Sequence, residues 1–231
     1  MHSLLLKLKA PMQSWAHQSR YKTRNAGEEP TKSGILGLLA AAEGRRRSDP
    51  IEDLAQLEFG VRVDQPGKLE HDFQTAIDWR KGPPGAITHR YYVSDAVFIA
   101  AISGPQDILE RLERAVATPR FPLFLGRRSC PANADLLLGI KDGDVEQALR
   151  NEPWHASQWY RKSKGTEVFL PIFRDAKPGE NGDLRRDTPV SFASENREYG
   201  WREVVESDAV KIQNDLGHST KDPFFEAVIK A

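Results

Sequence analysis

An α+β fold is predicted by three features of the sequence. Leu4, Leu6 and Leu8 alternate at the start, apolar residues recur every three or four positions at 35–42 and 108–116, and short strand-like runs lie between and after these stretches. With 231 residues and 39% hydrophobic content, the chain can bury a core without disulfide or metal. One domain, or one domain with a small appendage, is the expected count.

Leu4, Leu6 and Leu8 alternate with Ser3, Leu5, Lys7 and Lys9 as a first strand with one buried face. From Ala10 to Pro30 the chain is polar, basic and rich in turn formers, a long loop that carries Trp15, His17, Arg20, Tyr21, Lys22 and Arg24. Pro30-Thr31-Lys32-Ser33 opens a helix whose apolar face is Ile35, Leu38, Leu39 and Ala42, and Gly44 suits its C-terminal cap. Gly37 costs that helix about 1 kcal/mol relative to Ala, so close packing against a strand is its expected reason.

Phe59, Val61 and Val63 alternate as a second strand, and residues 65–90, with Gly67, Gly82, Pro83, Pro84 and Gly85, read as a projecting hairpin. Tyr91 to Ile102 turns apolar on both faces after Asp95, as a central strand does. Ser103-Gly104-Pro105-Gln106 has the form of a capping box before a helix faced by Ile108, Leu109, Leu112, Ala115 and Val116. Leu136 to Leu138 is a strand or a helix end. The order is βαββαβ, a ferredoxin-like arrangement familiar as an RNA-binding platform.

Residues 1–150 therefore form the expected main unit, with 65–90 inserted in it. Residues 151–231 form a partly irregular, β-rich extension with candidate strands at 166–173 and 199–205 and a Pro/Gly/Asp-rich stretch at 175–189.

Cys130 is the single cysteine, which excludes an intramolecular disulfide and a multi-cysteine zinc site and suits the cytoplasm. Neither a signal peptide nor an apolar run of the ~20 residues needed for a span is legible, so no membrane association is expected. Net charge is zero, which argues against coating nucleic acid by bulk electrostatics. Locally, residues 1–48 hold nine Lys and Arg against Glu28, Glu29 and Glu43.

In Phe124 to Pro131, Gly126 permits an unusual turn while Arg127, Arg128 and Ser129 offer charge, hydroxyl and backbone N–H groups to phosphate. A solvated basic turn is the plain alternative. Lys32, Ser33 and the open first turn of their helix could hold a second anion. Met12, Gln13 and Trp15 could read and stack a splayed base, or Trp15 could anchor its loop. Trp79 and Arg80 could wedge against nucleic acid or a neighbouring subunit.

His17 with Tyr21 or Lys22 could supply the acid–base pair of a metal-independent endoribonuclease, the alternative to an RNA-binding role, although six histidines in a chain of this size are unremarkable. No histidine pair has metal-ligand helical spacing and no P-loop, GxSxG or CxxC occurs, so neither metal nor cofactor is expected.

Pro11-Met12-Gln13-Ser14-Trp15, Pro30 to Leu39, and Pro119-Arg120-Phe121 leading into Leu125 to Pro131 resemble the CasD family in order and spacing over about the first 140 residues. CasD is the fifth-family CRISPR-associated subunit of the type I-E Cascade complex. Beyond that only Phe192-Ala193-Ser194 is similar. The resemblance implies an RRM-like palm with a thumb at 65–90 that grips the 5′ handle of the CRISPR RNA. It also implies contacts with the backbone subunit CasC and the large subunit CasA, target DNA nearby, and no catalysis. On that footing Met12, Gln13, Trp15, Arg20, Lys32, Ser33, Arg127, Arg128 and Ser129 are the expected RNA contacts. Trp79, Arg80, His89 and Arg90 are the expected partner contacts of the thumb.

Overall fold

The computed structural model describes residues 1–15, 19–20, 23–24, 29–80, 82 and 85–218. In chain order its elements are β1 (His2–Lys9), β2 (Met12–Gln13), β3 (Ser19–Arg20), β4 (Thr23–Arg24), α1 (Lys32–Glu43), α2 (Glu52–Ala55), β5 (Glu58–Gln65), β6 (Lys68–Ala76) and β7 (Ala86–Ser94). They continue with β8 (Val97–Ser103), α3 (Gln106–Ala117), β9 (Leu137–Asp142), α4 (Val145–Asn151), α5 (Gln158–Lys162), β10 (Glu167–Asp175), β11 (Asp183–Ser191) and β12 (Glu198–Gln213).

The architecture is mixed α/β. Its main sheet is antiparallel in the order β11-β12-β10-β5-β8-β1-β9. Leu4, Leu6 and Leu8 of β1 meet Phe98, Ala100 and Ile102 of β8 in a core that includes α1 and α3 residues Ile35, Leu39, Leu109 and Leu112. The expectation of a single buried face for β1 needs correction. Leu5 is also fully buried, in a second core on the opposite face with Val145 and Leu149 of α4 and Leu170 and Ile172 of β10. Residues beyond 151 thus complete the core rather than follow it, because β10 pairs directly with β5.

Helix α1 follows its sequence signals. Thr31 caps it by accepting from the Gly34 N–H at 3.1 Å, and Gly44 ends it at φ 82°. Gly37 faces the Phe192 ring, 3.4 Å from where a Cβ would stand, rather than a strand. The capping box at Ser103 does not form. Pro105 precedes α3 with no side-chain cap, and the Ser103 hydroxyl bonds that of Ser3.

The stretch read as one strand from Tyr91 to Ile102 breaks at Asp95, whose φ is 56°. Before it, β6 and β7 pair from Lys68–Ser94 to Ala76–Ala86 as the projecting hairpin, and every residue of β6 is exposed. After it, β8 is buried at every position. The stretch at 175–189 contains most of the ladder of β11, an edge strand that tolerates Pro189 through register irregularities on both sides.

Candidate nucleic-acid interface

The three motif segments converge through Trp15. Its ring is 1% exposed and lies on the first turn of α1, where a Cβ on Gly34 would stand 2.9 Å from a ring carbon. Its indole N–H donates to Gln13 Oε1 at 2.9 Å, while Gln13 Nε2 donates to the carbonyls of Leu8 at 3.1 Å and Ala96 at 2.9 Å. Gln13 and Trp15 therefore have no polar edge or ring face turned to a ligand. The base-contacting role expected of them is corrected to that of anchors for the 10–15 segment. Of Met12, Gln13 and Trp15, Met12 faces outward, 41% exposed on β2 opposite Ser94.

The start of α1 is also occupied from within. Lys32 is 6% exposed, its Nζ is 2.8 Å from Asp175 Oδ2, and its backbone N–H donates to Asp187 Oδ2 at 2.8 Å. Arg202 bridges the two carboxylates through Asp187 Oδ1 and Asp175 Oδ1, both at 2.6 Å. The anion expected at this helix start is the chain's own aspartate, which displaces Lys32 from the phosphate role. Ser33 lies half-buried beside Thr31.

The turn at 124–131 is stapled to the same place. Phe124 pairs with Pro131, the Leu125 N–H donates to the Cys130 carbonyl at 2.7 Å, and the Ser14 N–H donates to the Leu125 carbonyl at 3.1 Å. Leu125 and Cys130 are pegs at 0% and 1% exposure. Burial pushes the Cys130 thiol above its ordinary pKa, which leaves it a packed, unreactive residue. Gly126, at φ 87°, presses so close that a Cβ would stand 1.8 Å from the Ser14 carbonyl oxygen. Held in this way, the turn exposes Arg128 and Ser129.

Arg127 folds back over the Tyr92 ring at 4.9 Å. Burial alone would raise the Tyr92 phenol, but hydrogen bonds with Arg127, Ser129 and Arg90 and the charge of Arg127 hold it below its ordinary pKa. Tyr92 and Arg90 share a face of β7, so the strand adds a second arginine to the turn. The two-residue spacing of Arg90 and Tyr92 is the sequence signal for this cluster, and it straddles the boundary of the 65–90 insertion. The guanidinium groups carry charge and donate hydrogen bonds and the Ser129 hydroxyl can donate one more, so this cluster is suited to binding an anion.

The hairpin presents different chemistry. Leu69, Phe73 and Ile87 are 56–65% exposed on one face, together with His71, His89 and Tyr91. His71 Nε2 and His89 Nδ1 lie 2.9 Å apart, and the His71 ring stacks on Tyr91 at 4.6 Å between centroids. Trp79 is 84% exposed, with Arg80 over its ring at 5.1 Å. Of the four residues expected on the thumb, His89 shares this apolar face, while Arg90 belongs to the Tyr92 cluster. The Arg20 side chain and residues His17, Tyr21 and Lys22 lie outside what is described. Among the described residues no group of His, Cys, Asp or Glu is arranged to hold a metal, and no helix is long and apolar enough to cross a membrane.

Fold and surface together define a mixed α/β protein that displays a stapled arginine turn beside a long exposed hairpin. The profile of the family described as CRISPR-associated protein (Cas_Cas5) matches residues 3–205, and the chain belongs to that family. It is 34% identical over 169 residues to the CRISPR system Cascade subunit CasD of Escherichia coli (strain K12), covering 64% of this chain and 75% of that protein. Among solved structures it is similar to one described as a Cas protein, with a TM-score of 0.72 at 35% identity over 94% of this chain and 98% of that one. A second, described as a CRISPR RNA-guided surveillance complex, has a TM-score of 0.76 at 27% identity over 98% of both chains.

Proposed function

We propose that this chain is the CasD-type subunit of a CRISPR RNA-guided Cascade complex, where it holds the 5′ handle of the guide RNA without cutting it. The observation that carries this reading is the stapled turn, which exposes Arg128 and Ser129 beside the Arg127–Tyr92–Arg90 cluster. Guanidinium groups bind phosphate bidentately, and a turn fixed by buried pegs offers them with little ordering cost. Met12 on β2 and Arg128 flank the Ser14–Leu125 hydrogen bond, so a backbone held by the arginines would have nearby a side chain able to pack on a base.

In this reading β9-β1-β8-β5 with α1 and α3 is the ferredoxin-like, RRM-like palm, and β6–β7 is the thumb. The apolar face of the thumb docks on the backbone subunit CasC, the large subunit CasA lies alongside, and target DNA runs nearby in the cytoplasmic particle. Sequence recognition is left to guide pairing while the protein grips backbone and shape.

Reconstitution tests this reading. Complex carrying Arg128→Ala is expected to retain guide RNA at least roughly tenfold more weakly, since a hydrogen bond to a charged group contributes about 1.5–3 kcal/mol. Full retention by both Arg128→Ala and Arg90→Ala would remove the turn from the handle site.

A further inference from the structure

A second aromatic and basic surface lies on the opposite face of the main sheet. Residues 153–165 contain Trp154, Trp159, Tyr160, Arg161, Lys162 and Lys164 and no carboxylate. The nearest acids in sequence are engaged, Glu152 by His155 at 2.7 Å and Glu167 by Lys211 at 2.7 Å. Arg161 covers the Trp154 ring at 5.2 Å and Lys164 lies over Tyr160 at 4.7 Å. Trp159 packs against Tyr160 with the two ring planes at 87° and is 57% exposed. Lys162, on the same short helix, is exposed.

This segment is fixed at the root of the hairpin. The Ser157 N–H donates to Gln65 Oε1 at 2.9 Å, and Gln65 Nε2 donates to the Asp95 carbonyl at 2.6 Å. The Trp154 indole and the His155 N–H are both bound to Asp64, at 2.8 and 2.6 Å. An exposed indole with cations beside it, in a segment with no carboxylate of its own and its neighbouring acids Asp64 and Glu152 buried and engaged, suits single-stranded nucleic acid, bases on the ring and phosphates on the charges.

We propose that α5 and its flanks are a second nucleic-acid contact, for a single strand that passes the hairpin root on the side away from the arginine turn. The proposal rests on the chain's place in a guide-loaded complex. The strand is a stretch of guide RNA or one strand of target DNA, which share this chemistry.

The test assembles the complex with a photoreactive phenylalanine analogue in place of Trp159 and irradiates it with and without target duplex. Crosslinks to RNA in both samples assign the guide, and crosslinks to DNA that appear only with target assign the target strand. Crosslinks confined to protein, or none, overturn the proposal. Trp159→Ala is expected to weaken binding of the crosslinked strand roughly tenfold, while unchanged binding would also overturn it. Arg128→Ala measured in parallel reports on the handle site alone, so failure at either surface is read separately.

Discussion

The arginine turn at 124–131 and the hairpin at 68–94 lie side by side, yet they are built on opposite principles. The turn is short and held by fully buried pegs, with a glycine pressed on the neighbouring backbone. The hairpin is long, with β6 exposed throughout and apolar side chains facing outward. A group that must meet a rigid polyanion at fixed spacing benefits from being immobilised beforehand. A surface that is to be covered by another subunit can leave its apolar area bare until then.

Substitutions of matched type sharpen the contrast. Leu125→Ala removes a peg that is 0% exposed and is expected to lower stability by about 2–5 kcal/mol and to loosen guide retention with it. Phe73→Ala, at a position 65% exposed, leaves the melting temperature of the isolated chain nearly unchanged. Equal losses from both, by thermal denaturation, would dissolve the distinction.

Gly126 and Gly82 both have positive φ, 87° and 69°, but a Cβ meets the Ser14 carbonyl at the first and nothing within 4 Å at the second. Gly126→Ala is expected to cost about 2–4 kcal/mol, strain and collision together, and Gly82→Ala about 1 kcal/mol, strain alone. Denaturant midpoints of the two variants compare them directly. Phe73→Asp should change stability by no more than about 0.5 kcal/mol while preventing incorporation into the complex, measured by co-purification. Normal incorporation would deny the hairpin its docking role.

The smallest effect is spectroscopic. Tyr92 should ionise below its ordinary value of 10.0, visible in the ultraviolet absorbance of phenolate, and Arg127→Ala should move that step upward. Because the folded-state pKa is lowered, the linked stabilisation grows as pH rises through the lowered value towards 10.0 and is lost as pH falls back through it. An unmoved titration would separate Arg127 from Tyr92.

Much of the frame was legible in the sequence because it depends on local periodicity. The leucine alternation of β1, the Thr31 and Gly44 ends of α1 and the apolar face of α3 all declare themselves within a dozen residues. Inward or outward placement within the 10–15 segment did not, since an irregular segment has no period from which to read a face. Lys32 reads as a free cation until the fold brings Asp175, 143 positions away, to its side chain. The basic turn was legible from Gly126 and its arginines, whereas the aromatic ring beneath Arg127 comes from a strand whose start was hidden in the hairpin.

The aspartates that complete the start of α1 have a consequence for synthesis. Asp175, Asp187 and Arg202 lie in the last quarter of the chain, and Lys32 in the first. A ribosome must therefore deliver the chain as far as Arg202 before the first helix gains its full set of counter-charges. A chain released before Asp175 would emerge without these partners for Lys32.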